Sequence, residues 1–151
     1  MSKVKHILLA EDNPNDVELA LEALSEQNLA NEVIVVQDGA EALDYLYCRG
    51  SFSGRTNHNP VVVLLDIKMP KVSGIEVLKQ IKSDENLKNI PVVMLTSSRE
   101  EKDLVSSYNL GVNAYVVKPV DFQQFINAVK QIGLFWAVIN ETPPNNRKTI
   151  Q

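Results

Sequence analysis

The chain has 151 residues, 44% of them hydrophobic and 23% charged. One domain with a buried core fits these values, and wholesale disorder, collagen and coiled-coil compositions do not. Fifteen Lys and Arg face 19 Asp and Glu, a net charge of −4, which gives no support to broad capture of nucleic acid. The single cysteine, Cys48, excludes an intrachain disulfide and a cysteine-based zinc site and suits a reducing compartment. His6 and His58 lie far apart without carboxylates at ligand spacing and read as ordinary surface or loop residues. No apolar stretch approaches the roughly 18 residues that cross a bilayer. The expected setting is the cytoplasm, with no membrane and no nucleic acid as partner.

In chain order, unbroken apolar runs of strand length recur at Ile7–Ala10, Val33–Val36, Val61–Leu65, Val92–Leu95 and Ala114–Val117. They are rich in Val and Ile and do not alternate, as strands buried on both faces of a parallel sheet do not. Helical spacing follows each run: Val17, Leu21 and Leu24; Ala42, Leu43 and Leu46; Val77, Leu78 and Ile81; Leu104, Val105 and Tyr108; then Phe122, Phe125, Ile126, Val129 and Ile132. Capping boxes are predicted at Asn15 with Glu18, Asp38 with Glu41, Ser73 with Glu76, Ser98 with Glu101, and Asp121 with Gln124. The alternation predicts an α/β fold with helices on both faces of an open parallel sheet, since an eight-unit barrel needs roughly 200 residues or more. Residues 49–60 read as a lengthened polar loop, and residues 140–151 as a flexible C-terminal tail. Residues 1–139 are then one domain, with an extended last helix.

Ligands of open α/β sheets bind outside the carboxyl ends of the strands. The first run ends in Glu11-Asp12, the third in Asp66, the fourth in Thr96 and the fifth in Lys118-Pro119. Taken singly, each is explained as a cap, a turn residue or a surface charge. Together, and with those strands adjacent, they gather three carboxylates, a hydroxyl and an ammonium on one edge. Clustered acids raise one another's pKa unless a cation separates them. Mg²⁺ is bound by one or two carboxylates and keeps sites for water and phosphate oxygens. Asp12 and Asp66 could ligate it directly, Glu11 through water, and a main-chain carbonyl after Asp66 could add another ligand. Thr96 and Lys118 could meet phosphoryl oxygens, as phosphoryl transfer requires.

These residues, with DIKMPKVSG from Asp66 to Gly74, Thr96-Ser97, and GVNAYVVKP from Gly111 to Pro119, resemble the receiver domain of two-component response regulators over roughly residues 5–133. The resemblance implies a flavodoxin-like three-layer αβα sandwich with a five-stranded sheet in the order 2-1-3-4-5. It implies that Asp66 accepts a phosphoryl group from a sensor histidine kinase, and that the protein assists its own phosphorylation and dephosphorylation without being an enzyme in the usual sense. Glu11, Asp12, Asp66 and the main-chain carbonyl of Lys68 would serve Mg²⁺. Thr96 and Tyr115 match the switch positions, Lys118-Pro119 a cis peptide, and Gly74 and Gly111 turns of unusual backbone geometry. Val112 and Val120 depart from the commoner Ala and Phe and should alter packing only. Lys68, two residues after Asp66, is expected to pair with Glu11 or the phosphoryl group and to alter phosphoryl lifetime.

Nothing after the last helix reads as an effector domain, so output is expected through protein contact. The run from Leu134 to Ile139 is apolar all round and must be covered, either by its own domain under the 49–60 loop or by a dimer or partner. That run and the long loop are similar to stand-alone receivers, especially cyanobacterial ones, which partner phytochrome-type kinases and form homodimers. A pseudo-receiver that binds without phosphorylation is the main alternative. A DxDx[TV] phosphatase lacks its second acid because position 68 is Lys, and a dinucleotide fold lacks glycines in EDNPND.

Overall fold

The computed structural model describes residues 6–25, 32–56 and 59–133. In chain order the elements are β1 (His6–Ala10), α1 (Pro14–Leu24), β2 (Glu32–Val36), α2 (Gly39–Leu46), β3 (Val62–Asp66), α3 (Gly74–Ser83), β4 (Val92–Thr96), α4 (Arg99–Ser107), β5 (Ala114–Val117) and α5 (Phe122–Gln131), with a 3₁₀ turn at Gly50–Phe52. All strand pairs are parallel, and the sheet runs β2-β1-β3-β4-β5. This is the expected flavodoxin-like order. The three central strands β1, β3 and β4 are buried at every residue, which is why they carry no polar alternation.

Successive side chains of a strand point to opposite faces, and the core divides accordingly. Ile7, Leu9, Leu64, Val93 and Leu95 pack with Ala20 and Leu24 of α1 and Phe125 and Val129 of α5. Leu8, Ala10, Val63, Leu65 and Met94 pack with α2, α3 and α4 through Leu46, Leu78, Ile81 and Val105. Phe125 is fully buried, and truncating such a ring costs about 3–5 kcal/mol.

Four of the five expected caps form: Asp38, Ser73, Ser98 and Asp121 accept from the amides of Glu41, Glu76, Glu101 and Gln124. The first differs. Asn13, not Asn15, caps α1, accepting from the amides of Asn15 and Asp16, with Pro14 in the first turn. Proline suits the first helical position because that amide has no partner there.

Three expected core residues stay half in water: Leu21 at 37%, Leu104 at 48% and Tyr108 at 45% exposure. On α1 the sheet-facing stripe is taken by Ala20, Ala23 and Leu24, and short α4 turns only Val105 fully inward. His6 also departs from expectation. It opens β1, is 2% exposed, and meets the ring of Tyr45 edge-on at 5.7 Å.

The 49–60 loop begins against α2, where Phe52 meets Tyr45 at 5.0 Å and Arg55 stacks 4.2 Å over the same ring while donating to the carbonyl of Tyr45 at 2.9 Å. Helix α5 ends at Gln131 with Ile132 as its C-cap and Gly133 at φ +79, so among the described residues the expected extension of the last helix does not form: a left-handed glycine breaks the helical path. His58, the apolar run 134–139 and the tail 140–151 lie outside the described residues.

Candidate functional site

The chain runs from β1 outward to β2 and then returns past β1 to β3. The order reverses between β1 and β3, where the carboxyl ends of the strands leave a crevice. Register brings the candidate residues to that edge. Ala10 faces Leu65, Asp66 faces Leu95, and Thr96 faces Val117. Two amides continue the ladder beyond the strands, from Glu11 to the Val36 carbonyl at 3.0 Å and from Lys118 to the Thr96 carbonyl at 2.8 Å.

Glu11, Asp66 and Thr96 are buried, whereas Asp12 stands exposed at the rim. Glu11, Asp12 and Asp66 each offer an oxygen within 4.8 Å of the others'. Lys118, just beyond β5, places its Nζ 3.0 Å from Asp66 Oδ1 and 3.2 Å from Glu11 Oε1. The Lys118-Pro119 peptide is cis.

The electrostatics follow from burial. Glu11 is pushed up to about 7, first by desolvation and then by the charge of Asp66, against the Asn13 amide and Lys118, which hold it down. Burial likewise raises Asp66, with Lys118 opposing. Burial alone would lower the ammonium of Lys118, but its bonds to Asp66 and Glu11 outweigh this and raise it. Two buried acids held above their ordinary range and a third at the rim form an all-oxygen donor set that fits a hard divalent cation.

Asp16 escaped the sequence reading. Its Oδ2 lies 3.3 Å from Lys118 Nζ, but it is not among the three acids clustered for a cation. The signal was present in Asn13-Pro14, which as a cap and first helical residue puts Asp16 on the third helical position.

Lys68 does not pair with Glu11, whose carboxylate is occupied by Lys118 and the Asn13 amide. Its Nζ instead lies 3.8 Å from Glu101 Oε2 on α4, and its side chain is 83% exposed. Glu101 also accepts from the amide of Ser97 at 2.7 Å, which ties the turn after β4 to α4. Tyr115 is half-buried on β5. Its hydroxyl is 2.9 Å from Ser106 Oγ, and Lys102 lies 5.2 Å from the ring. A cavity of about 230 Å³ adjoins it, lined by Val105, Ser106, Leu110, Gly111, Val112 and Tyr115.

Gly111 has φ +75, as expected. Gly74 does not have positive φ; its requirement is steric, because a Cβ there would meet the main-chain oxygen of Asp66. The Gly74 amide donates to the Ile67 carbonyl at 2.7 Å and draws α3 against the end of β3.

Among the described residues, no helix is long and apolar enough to cross a membrane. The pattern of the response regulator receiver domain matches residues 7–130. Response regulator Rcp1 of Synechocystis sp. (strain ATCC 27184 / PCC 6803 / Kazusa) is 39% identical over 132 residues, 87% of this chain and 88% of that protein. The structure of the bacteriophytochrome response regulator AtBRR is 59% identical with a TM-score of 0.87, covering 93% of this chain and 100% of that one. Those of phosphorylated RcpA, a cyanobacterial phytochrome response regulator, and of Mn(2+)-bound Rcp1 are 43% and 35% identical, with TM-scores of 0.71 and 0.70. They cover 93% of this chain and 98% and 99% of their own. The chain belongs to the response regulator receiver domain family.

Proposed function

We propose that Asp66 accepts a phosphoryl group from the phosphohistidine of a sensor kinase, of the phytochrome type suggested by the AtBRR and RcpA relatives. The observation that carries this reading is the Lys118 ammonium 3.0 Å from Asp66 Oδ1, in a site where Glu11, Asp12 and Asp66 each offer an oxygen within 4.8 Å of the others'. In the step, an Asp66 carboxylate oxygen forms a bond to phosphorus while the donor's bond breaks and its electron pair leaves with the donor. The protein's work is positioning and charge neutralisation.

Register and the close approach of Gly74 hold Asp66 in place. Lys118 supplies positive charge for phosphoryl oxygens, and Thr96 a hydroxyl donor beside it. Asp12, Asp66 and the main-chain carbonyl of Lys68 would hold Mg²⁺, with Glu11 acting from beyond its direct ligands. When bound, the ion neutralises the clustered carboxylates and the incoming phosphoryl charge. That the relative Rcp1 has a Mn(2+)-bound form supports a divalent cation here.

Thr96 and Tyr115 are the proposed switch pair: Thr96 moves toward the phosphoryl group, and the Tyr115 ring turns in from its Ser106 contact. The signal leaves by protein contact, from a homodimer in the cytoplasm. The unit is residues 1–139, followed by the tail 140–151. The cationic Lys68 shapes the lifetime of the phosphorylated state.

The test is incubation with acetyl phosphate and Mg²⁺, followed by intact-protein mass measurement. The expected result is one labile phosphoryl adduct that is absent in Asp66→Asn. No adduct on the wild type would identify a binding module instead, and rapid turnover of other phosphate esters a phosphatase.

A further inference from the structure

Lys118 has three N–H donors, and three carboxylate oxygens stand around its Nζ: Asp66 Oδ1 at 3.0 Å, Glu11 Oε1 at 3.2 Å and Asp16 Oδ2 at 3.3 Å. Glu11 and Asp16 are hydrogen-bonded to the ammonium, and Asp66 faces it as an ion pair. An ammonium surrounded in this way turns a donor fully onto a phosphoryl oxygen only when one carboxylate gives way.

The presence of Asp16 follows from how α1 starts. An acid at the third helical position ordinarily turns back onto the amides at the helix entry. On α2, Glu41 accepts from the amide of Gln37 at 2.7 Å, and on α4, Glu101 accepts from the amide of Ser97 at 2.7 Å. On α1 that task is already done. The Asn13 amide donates to Glu11 Oε2 at 3.1 Å, and Asn13 Oδ1 binds the amides of Asn15 and Asp16 at 2.8 and 3.2 Å. The Asp16 backbone is therefore fixed by the cap while its carboxylate is spared for Lys118.

The three acceptors differ in what they can do when the ammonium leaves. Glu11 is buried, with 1% of its side chain exposed, and Asp66 is 6% exposed and becomes the acyl phosphate itself, whereas Asp16 is 29% exposed and can be rehydrated. An uncompensated buried carboxylate is costly and a solvated one is not. Asp16 is thus the acceptor that Lys118 can exchange for a phosphoryl oxygen.

We propose that Asp16 is a positioning residue that tethers Lys118 to α1 and slows phosphoryl uptake at Asp66. This rests on the reading of Asp66 as phosphoacceptor. With acetyl phosphate, an Asp66 oxygen forms the new O–P bond, the donor's P–O bond breaks, and the electron pair leaves on acetate. Lys118 reaches the charged phosphoryl oxygens only after giving up Asp16. Removing the tether leaves a donor available beforehand and removes one negative charge from the path of an anionic donor.

The test follows adduct mass against time for the full chain and its Asp16→Asn, Asp16→Ala and Asp16→Glu variants, with acetyl phosphate and Mg²⁺. The Asn and Ala variants are expected to gain the adduct about fivefold faster, the upper end for a partly exposed ion pair, and the Glu variant to stay within about twofold of wild type. Mg²⁺ affinity, measured by calorimetry without phosphodonor, is expected to stay within about twofold because Asp16 acts on the ammonium and not on the cation. The ¹H–¹⁵N signal of the Lys118 ammonium is expected to be slow-exchanging in wild type and lost in Asp16→Asn, a readout independent of phosphorylation.

Unchanged or slower uptake in Asp16→Asn, beside normal uptake in wild type, would overturn the tether alone. So would an unchanged ammonium signal, failure of Asp16→Glu to restore the wild-type rate, or a parallel fall in Mg²⁺ affinity. A wild type that takes up no phosphoryl group would overturn the phosphoacceptor reading beneath it.

Discussion

Substituting Gly74→Ala would place a Cβ 1.9 Å from the main-chain oxygen of Asp66 and 2.9 Å from Cα of Ile67. Nonbonded carbon does not approach oxygen closer than about 3 Å, so α3 and the end of β3 must part by at least about 1 Å. Both neighbours are backbone, so no side-chain rotation relieves the overlap. Overpacking of this kind costs about 1–3 kcal/mol, and rigid backbone puts it near the top. Alanine recovers about 0.4–1 kcal/mol by restricting the unfolded chain, leaving a net loss of about 2 kcal/mol. At this chain length that lowers Tm by about 4–8 °C.

The displaced residue is also the proposed phosphoacceptor. Phosphoryl uptake should therefore slow by about tenfold or more, since misplacing a reacting group by about 1 Å can cost up to about a hundredfold. The assays are thermal unfolding followed by circular dichroism and adduct mass against time with acetyl phosphate. Gly54→Ala is the control, because nothing lies within 4 Å of a Cβ there. If Gly74→Ala melted within about 2 °C of Gly54→Ala and took up phosphoryl at the wild-type rate, the steric account of this turn would be refuted.

Replacing Lys118→Met strips the internal cation from Glu11 and Asp66 and should cost about 3 kcal/mol at pH 8 in the absence of Mg²⁺. The loss should shrink below pH about 7 as Glu11 takes up a proton, and added Mg²⁺ should restore part of it; urea unfolding at both pH values checks this. Lys68→Ala should leave stability within about 0.5 kcal/mol, because its ion pair with Glu101 is mostly exposed. The same variant should change the dephosphorylation rate by more than about twofold, read from decay of the adduct mass. His6 is held below its ordinary pKa of 6.5 by burial and then by Arg55, with Glu32 opposing. Its neutral form therefore contributes stability that is present above pH 6.5 and lost as pH falls through the lowered value. Glu11 and Asp66, both raised, act with the opposite sign over part of that range. The measurement is thus the difference in stability between wild type and His6→Leu, which should narrow as pH falls from 7 to 5.

Much of this molecule is legible in its chain because the information is local. Unbroken Val and Ile runs with no polar alternation mark strands covered on both faces, and β1, β3 and β4 are buried throughout. Caps at Asp38, Ser73, Ser98 and Asp121 mark helix starts because a side-chain oxygen three residues before an acid or amide has few other uses. The position of acids, hydroxyl and lysine one residue beyond the strands follows from the same periodicity. At the start of α1 two local signals compete. Asn15 matched the capping spacing as well as any, but Pro14 in the first turn put the cap at Asn13.

Other features depend on packing, which no local pattern carries. Asp16 reaches Lys118 only because the helix after β1 and the end of β5 meet across the edge of the sheet, residues 102 apart in the chain. Lys68, largely in water, lies by Glu101 on α4, while buried Glu11 is held by Lys118. Gly74 is required by the approach of two backbones and not by its own φ. The order of elements and the residue types at the strand ends can be read from the chain, since both rest on side-chain chemistry a few residues at a time. Which carboxylate holds which cation emerges only in the packed fold, because that choice depends on distance and on which acid water can still reach.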